Sequence, residues 1–152
     1  MGLVLPGNCQ IMTVQCHPVG NPAAEPIVEL GSNQQLIFSF DDLGNHDYSY
    51  TYKIVHCDPD WQSSGLSPSA YLNGFFSNPI ENYEYSYNTQ TGYTRFSLLI
   101  PNEEVSMKIS GNYVIQVFND ENPDYAVITQ RFLILENKAS ISASVVNATN
   151  PK

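Results

Sequence analysis

Hydrophobic and polar residues alternate along most of this chain with a period of two. In Leu36-Ile37-Phe38-Ser39-Phe40-Asp41, the residues Leu36, Phe38 and Phe40 fall on one side and Ser39 and Asp41 on the other, as a half-buried strand requires. Tyr48 to Cys57 repeats the pattern, with Tyr48, Tyr50, Tyr52 and Ile54 set against Ser49, Thr51 and Lys53. Further stripes are Phe96, Leu98 and Ile100, then Tyr113, Ile115 and Val117, then Ile128, Phe132 and Ile134, and finally Ile141, Ala143 and Val145 among serines. Ile11 to Cys16, Ile27 to Leu30 and Tyr83 to Tyr87 are weaker strand candidates. Gly-Asn, Pro-Asp, Asn-Pro, Thr-Gly and Ser-Gly pairs between the stripes favour turns. Only Glu103 to Ile109, and Ser67 to Leu72 behind its Ser-Pro start, suit a helical turn or two.

The expected fold is all-β: an immunoglobulin-like antiparallel β-sandwich of about eight strands with one long loop, because each strand has one apolar face that a second sheet must cover. Ser110-Gly111-Asn112-Tyr113, running straight into alternating β-branched residues, resembles the tyrosine corner that opens strand F of such domains. The long loop is His56 to Asn82, which lacks periodicity and exceeds most connections in compact domains. It carries Trp61, Tyr71, Phe75 and Phe76, and the expectation is that Trp61 and Phe75 fold back onto the sandwich as anchors. Residues 9–146 are expected to form one domain, after a disordered start at 1–8.

Composition narrows the function. At 42% hydrophobic and 14% charged, the chain is too apolar to be disordered, and 152 residues can close one core without a disulfide framework. A net charge of −9, with Lys53, Arg95, Lys108, Arg131, Lys138 and Lys152 scattered singly, argues against nucleic acid or an anionic membrane surface as partner. No apolar run approaches the roughly 20 residues that cross a bilayer, and Met1 to Asn8 lacks the pattern of a signal peptide.

Candidate chemistry is sparse. Cys16-His17 and His56-Cys57 offer the ligand types of a zinc site, but adjacent strand residues point to opposite faces, so no metal and no cofactor is expected. Cys16 and Cys57 are either small core thiols or a bridge between strands, with Cys9 left over. There is no Gly-x-Ser-x-Gly elbow and no phosphate-cradling loop, and the contiguous His56-Cys57-Asp58 cannot meet as a triad, so no enzyme is expected. Tyrosine remains. Tyr48, Tyr50 and Tyr52 form one ladder, and Tyr83, Tyr85 and Tyr87 another. Either ladder is a partner surface or sugar-stacking platform, or simply tyrosine suited to a half-buried sheet.

Read in order, several stretches resemble the first domain of the type IX secretion system plug protein family. These are Ile11 to Gln15, Pro26 to Leu30, Leu36 to Leu43 and Tyr52-Lys53-Ile54-Val55-His56-Cys57-Asp58-Pro59-Asp60-Trp61, followed by Tyr71-Leu72-Asn73-Gly74-Phe75 and Ile80-Glu81-Asn82-Tyr83. Ser86 to Thr89, Tyr93-Thr94, Pro101-Asn102, Ser110 to Tyr113 and Arg131-Phe132 complete the series. The resemblance implies an exported, periplasmic, non-enzymatic component, peripheral to the outer membrane and not inserted, whose partner is the translocon barrel it occludes. It implies further domains downstream, with residues 147–152 as the linker to them, and structural roles for His56, Cys57, Asp58 and Trp61 in fixing the long loop. Contact candidates are Trp61, Tyr71 and Phe75 if that loop is exposed, or Tyr83, Tyr85 and Tyr87 if a sheet face is uncovered. The rival reading is a carbohydrate-binding β-sandwich module, which needs exposed rings in a row beside carboxylates or amides.

Overall fold

The stripes of alternating residues become strands wherever the structure reaches them. The computed structural model describes residues 11–43 and 48–137; the Ile141 to Val145 stripe, Cys9 and both expected terminal segments lie outside these. In chain order the elements are β1 (Ile11–Pro18), β2 (Ile27–Glu29), β3 (Leu36–Asp42), β4 (Tyr50–Cys57), α1 (Pro68–Tyr71), β5 (Leu72–Gly74), β6 (Ser77–Pro79), β7 (Asn82–Tyr85), β8 (Thr94–Ile100), β9 (Val105–Met107), β10 (Gly111–Asn119) and β11 (Ile128–Leu135).

Two sheets face each other across one core. The smaller runs β1-β3-β8-β7 and the larger β2-β11-β10-β4-β6, with β5 and β9 as a separate pair. β2 and β6 are the edge strands of the larger sheet, β1 and β7 those of the smaller. Pairing is antiparallel except at β2, which runs parallel to β11 through Leu133↔Ile27 and Leu135↔Glu29. Leu36, Phe38, Phe40 and Ile100 from the smaller sheet meet Tyr50, Tyr52, Ile54, Ile115 and Val117 from the larger, all essentially without solvent contact. At one end of this core Phe40 stacks on Phe96 at 5.2 Å, and the Tyr50 ring meets both edge-on at 5.1 and 4.8 Å. Such pairs contribute about 0.5–1.5 kcal/mol each beyond the area they bury.

The corner read from Ser110 to Tyr113 forms as expected. The Tyr113 hydroxyl donates to the Ile109 carbonyl at 2.7 Å, tying the start of β10 to the turn before it. Gly111 sits there at φ 143°, and a Cβ on it would come within 2.6 Å of His56 Nε2, so the close packing of β4 on the corner selects glycine.

Two expectations need correction. His56 to Asn82 is not one loop: it holds α1, β5 and β6, and pairs with the rest of the fold through Thr51↔Pro79 and Leu72↔Met107. Three-residue strands such as β5, β6 and β9 are too short to register as alternation, which is why the described residues hold eleven strands against the eight or so expected. The second correction is at Glu103 to Ile109. Its residues suit a helix locally, but β5, distant in sequence, captures Val105 to Met107 as a strand, while the Asn102 side-chain oxygen accepts from the amides of Glu104 and Val105 at 2.9 Å each. The Ser67-Pro68 start does open α1, with Pro68 in its first turn.

Candidate functional site

The sequence between Cys57 and Gln62 folds as a tight turn built on one aspartate. Asp58 Oδ1 accepts from the amides of Asp60 and Gln62 at 2.9 and 3.0 Å, and the Asn112 side chain donates to the Asp58 carbonyl at 3.1 Å, fastening the turn to β10. Trp61 takes φ 62° in this turn, and its half-buried ring lies 4.7 Å from the Arg131 guanidinium on β11. His56 packs edge-on against Tyr113 at 5.0 Å, beside Tyr71 at 5.7 Å, and its Nδ1 meets the Ser64 hydroxyl at 2.8 Å. These side chains hold the segment after β4 against the larger sheet.

Of the two expected anchors, Trp61 and Phe75, Trp61 is the one that packs back. Tyr71 is buried, and its hydroxyl donates to the Ile54 carbonyl at 3.3 Å, so its ring belongs to the core and is not presented to a partner. Burial also raises its pKa, as it does those of Tyr52 and Tyr113. Phe75 is 76% exposed, which overturns the expectation that it folds back. The turn between β5 and β6 directs its neighbour Phe76 toward the sheet instead, with Lys53 Nζ 5.8 Å from that ring and 4.6 Å from Phe118. Cys16 and Cys57 are both free thiols, on β1 and β4 of different sheets, so they form no bridge. Burial pushes the Cys16 thiol up to about 12 and raises that of Cys57, where the nearby Asp58 charge adds to the effect. Among the described residues no group of three or more His, Cys, Asp or Glu could hold a metal ion.

The two tyrosine ladders meet. β7 pairs with β8 through Tyr83↔Phe96 and Tyr85↔Thr94, which puts Tyr83 and Tyr85 on the core-facing side of the smaller sheet. β7 is an edge strand of that sheet, and the larger sheet leaves its inner face partly open: Tyr83 is 49% and Tyr85 67% exposed. The result is a groove of about 620 Å³ at the open side of the sandwich, lined by Tyr48, Tyr50, Ile80, Glu81, Tyr83 and Tyr85, with Phe96 and Thr94 as its floor. The Ile80 amide donates to the Tyr50 carbonyl at 2.8 Å, which brings the first ladder to the second. The rings are not coplanar: Tyr83 and Tyr85 meet at 79° and Tyr48 and Tyr50 at 77°. Tyr87, 92% exposed, lies past the end of β7 and outside the groove. Sequence reasoning missed Ile80 and Glu81 as groove residues, and their one signal was the Ile80-Glu81-Asn82-Tyr83 stretch noted in the resemblance.

Two sheets closed over one core, with aromatic rings left at the open side, define an all-β sandwich domain. A family model, the first domain of the type 9 secretion system plug protein, matches residues 11–136. The chain belongs to that family. No curated protein matches the chain. Among solved structures it is similar to a hypothetical protein from Parabacteroides merdae ATCC 43184, with 41% identity and a TM-score of 0.80 over 83% of this chain and 32% of that one. The chain therefore spans about a third of the length of that protein. The alkylpurine DNA glycosylase AlkC of Pseudomonas fluorescens, bound to DNA containing an abasic site analogue, matches at 10% identity and a TM-score of 0.40 over 84% of this chain and 30% of that one, too distant to carry an argument.

Proposed function

We propose that this domain is a non-enzymatic part of a periplasmic plug that occludes an outer-membrane translocon barrel. The observation that carries the reading is the family match across residues 11–136, which takes in both sheets and the turn at Asp58. Occlusion makes and breaks no covalent bond, so the mechanism is contact area and shape. The aromatic groove and the exposed Phe75 and Tyr87 give the domain apolar surface that water does not favour. No helix among the described residues is long and apolar enough to cross a membrane, and a peripheral placement needs none. A carbohydrate-binding module is the weaker reading, because rings meeting at 79° do not form the flat row on which a sugar chain stacks.

The test is an affinity capture from the source cell envelope, with the full-length protein and then this domain as bait, and mass spectrometry of what co-purifies. Recovery of a very large outer-membrane barrel with both baits supports the plug reading and places part of the contact in this domain. Recovery with the full-length bait alone keeps the plug and makes this domain a spacer. Recovery with neither removes it.

A further inference from the structure

The groove between β4, β6 and β7 has a chemistry that neither the family nor the occlusion mechanism assigns. Tyr48, Tyr83 and Tyr85 turn parts of their rings toward it, and Glu81 is the one charged residue among the described residues that line it. Among the described residues, no base lines it. Arg95, the nearest on β8, alternates with Thr94 and Phe96 and so points to the opposite side of the sheet, where Nε donates to Asp41 Oδ1 at 2.8 Å. Lys53 of β4 likewise lies on the outer face of the larger sheet, over Phe118. The face of a tyrosine ring carries negative electrostatic potential and attracts cations. A carboxylate at the rim adds to that attraction, and so does the field of a chain with net charge −9.

We propose that this groove binds a basic side chain, arginine or lysine, presented on an extended segment of a partner protein. The crossed rings that make a poor sugar platform suit this occupant, since a guanidinium or ammonium group needs ring faces around it and not a single plane. A volume of about 620 Å³ takes one long side chain with the backbone on either side of it. The net negative charge disfavours an acidic segment and steers a basic one toward the site.

The experiment is an NMR titration of the whole 152-residue chain with an acetylated, amidated Gly-Arg-Gly peptide and with its neutral counterpart carrying citrulline. The arginine peptide should give saturable shifts centred on Glu81, Tyr83 and Tyr85, and bind more tightly than the citrulline peptide by roughly two- to fivefold, with the difference shrinking in high salt. Glu81→Gln and Tyr85→Ala should each weaken the arginine peptide by a similar factor, and each should narrow its advantage over the citrulline peptide. Both side chains are exposed, so both variants should keep the native circular dichroism spectrum. Equal binding of the two peptides, shifts that map elsewhere, no saturable shift, or tighter occupation of the groove by a soluble oligosaccharide would each overturn the proposal. None of these outcomes depends on whether a translocon barrel is captured, so this site and the plug reading stand or fall separately.

Discussion

Tyr50 and Tyr85 occupy the same kind of position in the sequence and opposite positions in the molecule. Each belongs to a run of tyrosines at every second residue, and each side chain points to the inner side of its sheet. Tyr50 is 1% exposed, wedged against Phe40 and Phe96, with its hydroxyl donating to Asp42 Oδ2 at 2.9 Å. Tyr85 is 67% exposed on an edge strand. The difference comes from what stands opposite. β4 is an inner strand of the larger sheet, covered by β3 and β8, whereas β7 lies at the rim of the smaller sheet, where cover runs out. Alternation therefore identifies a face, and sheet order decides whether that face becomes core or surface.

The sharpest way to break this contrast is to remove the buried ring. Tyr50→Ala should cost about 3–5 kcal/mol, the usual loss for a large aromatic in a packed core, and thermal or urea unfolding reads it directly. A domain of this size has only about 5–15 kcal/mol to lose, so the variant should be partly unfolded at physiological temperature. A loss below about 1 kcal/mol would mean that the ring is not clamped between the sheets.

Trp61 stands between the two extremes. Its half-buried ring is held by the Asp58 turn and lies over Arg131, so Trp61→Ala should cost about 1–2 kcal/mol, from partial apolar burial and one cation–π contact. Arg131→Ala should then make the Trp61 substitution less costly, a coupling that a double-mutant cycle measures. Additive losses would show that the ring is held by the turn alone.

The tyrosine corner allows a smaller and cleaner change. Tyr113→Phe keeps the ring between His56, Tyr71 and Phe132 and deletes only the hydroxyl that donates to Ile109. It should lower stability by about 0.5–1.5 kcal/mol, seen as a shift of the urea midpoint at unchanged slope. An unchanged midpoint would mean that the corner is held by Gly111 and the His56 packing and not by this bond.

These cases also mark how much was legible beforehand. The long strands β3, β4, β8, β10 and β11 could be read because a side-chain period of two is imposed by the backbone itself. The corner at Tyr113 could be read because its glycine and tyrosine answer to local geometry. Phe75 could not, because whether it or Phe76 turns inward depends on the register of β6 against β4, set at Thr51↔Pro79 far from either ring. Tyr71 was misjudged for the opposite reason: it sits in an irregular stretch, yet α1 presses it between His56 and Tyr113. The groove was half legible. Its two ladders stood out in the sequence, but their convergence depends on β6 and β7 being the edge strands of opposite sheets.

The smallest expected effect bears most on function. Tyr85→Ala removes a ring that meets Tyr83 edge-on at 5.6 Å and is 67% exposed, so its effect on stability should stay within about 0.5 kcal/mol. Set beside a loss of several kcal/mol at Tyr50, this separates two tyrosines that the sequence pattern presents as equivalents. If Tyr85→Ala instead destabilises the fold by more than about 1.5 kcal/mol, the ring is part of the core's rim and its exposure says little about binding. If stability holds while capture of a partner or of the arginine peptide falls, then the place where the larger sheet stops covering the smaller is a site of recognition, and the tyrosines that escape the core are the ones that carry it.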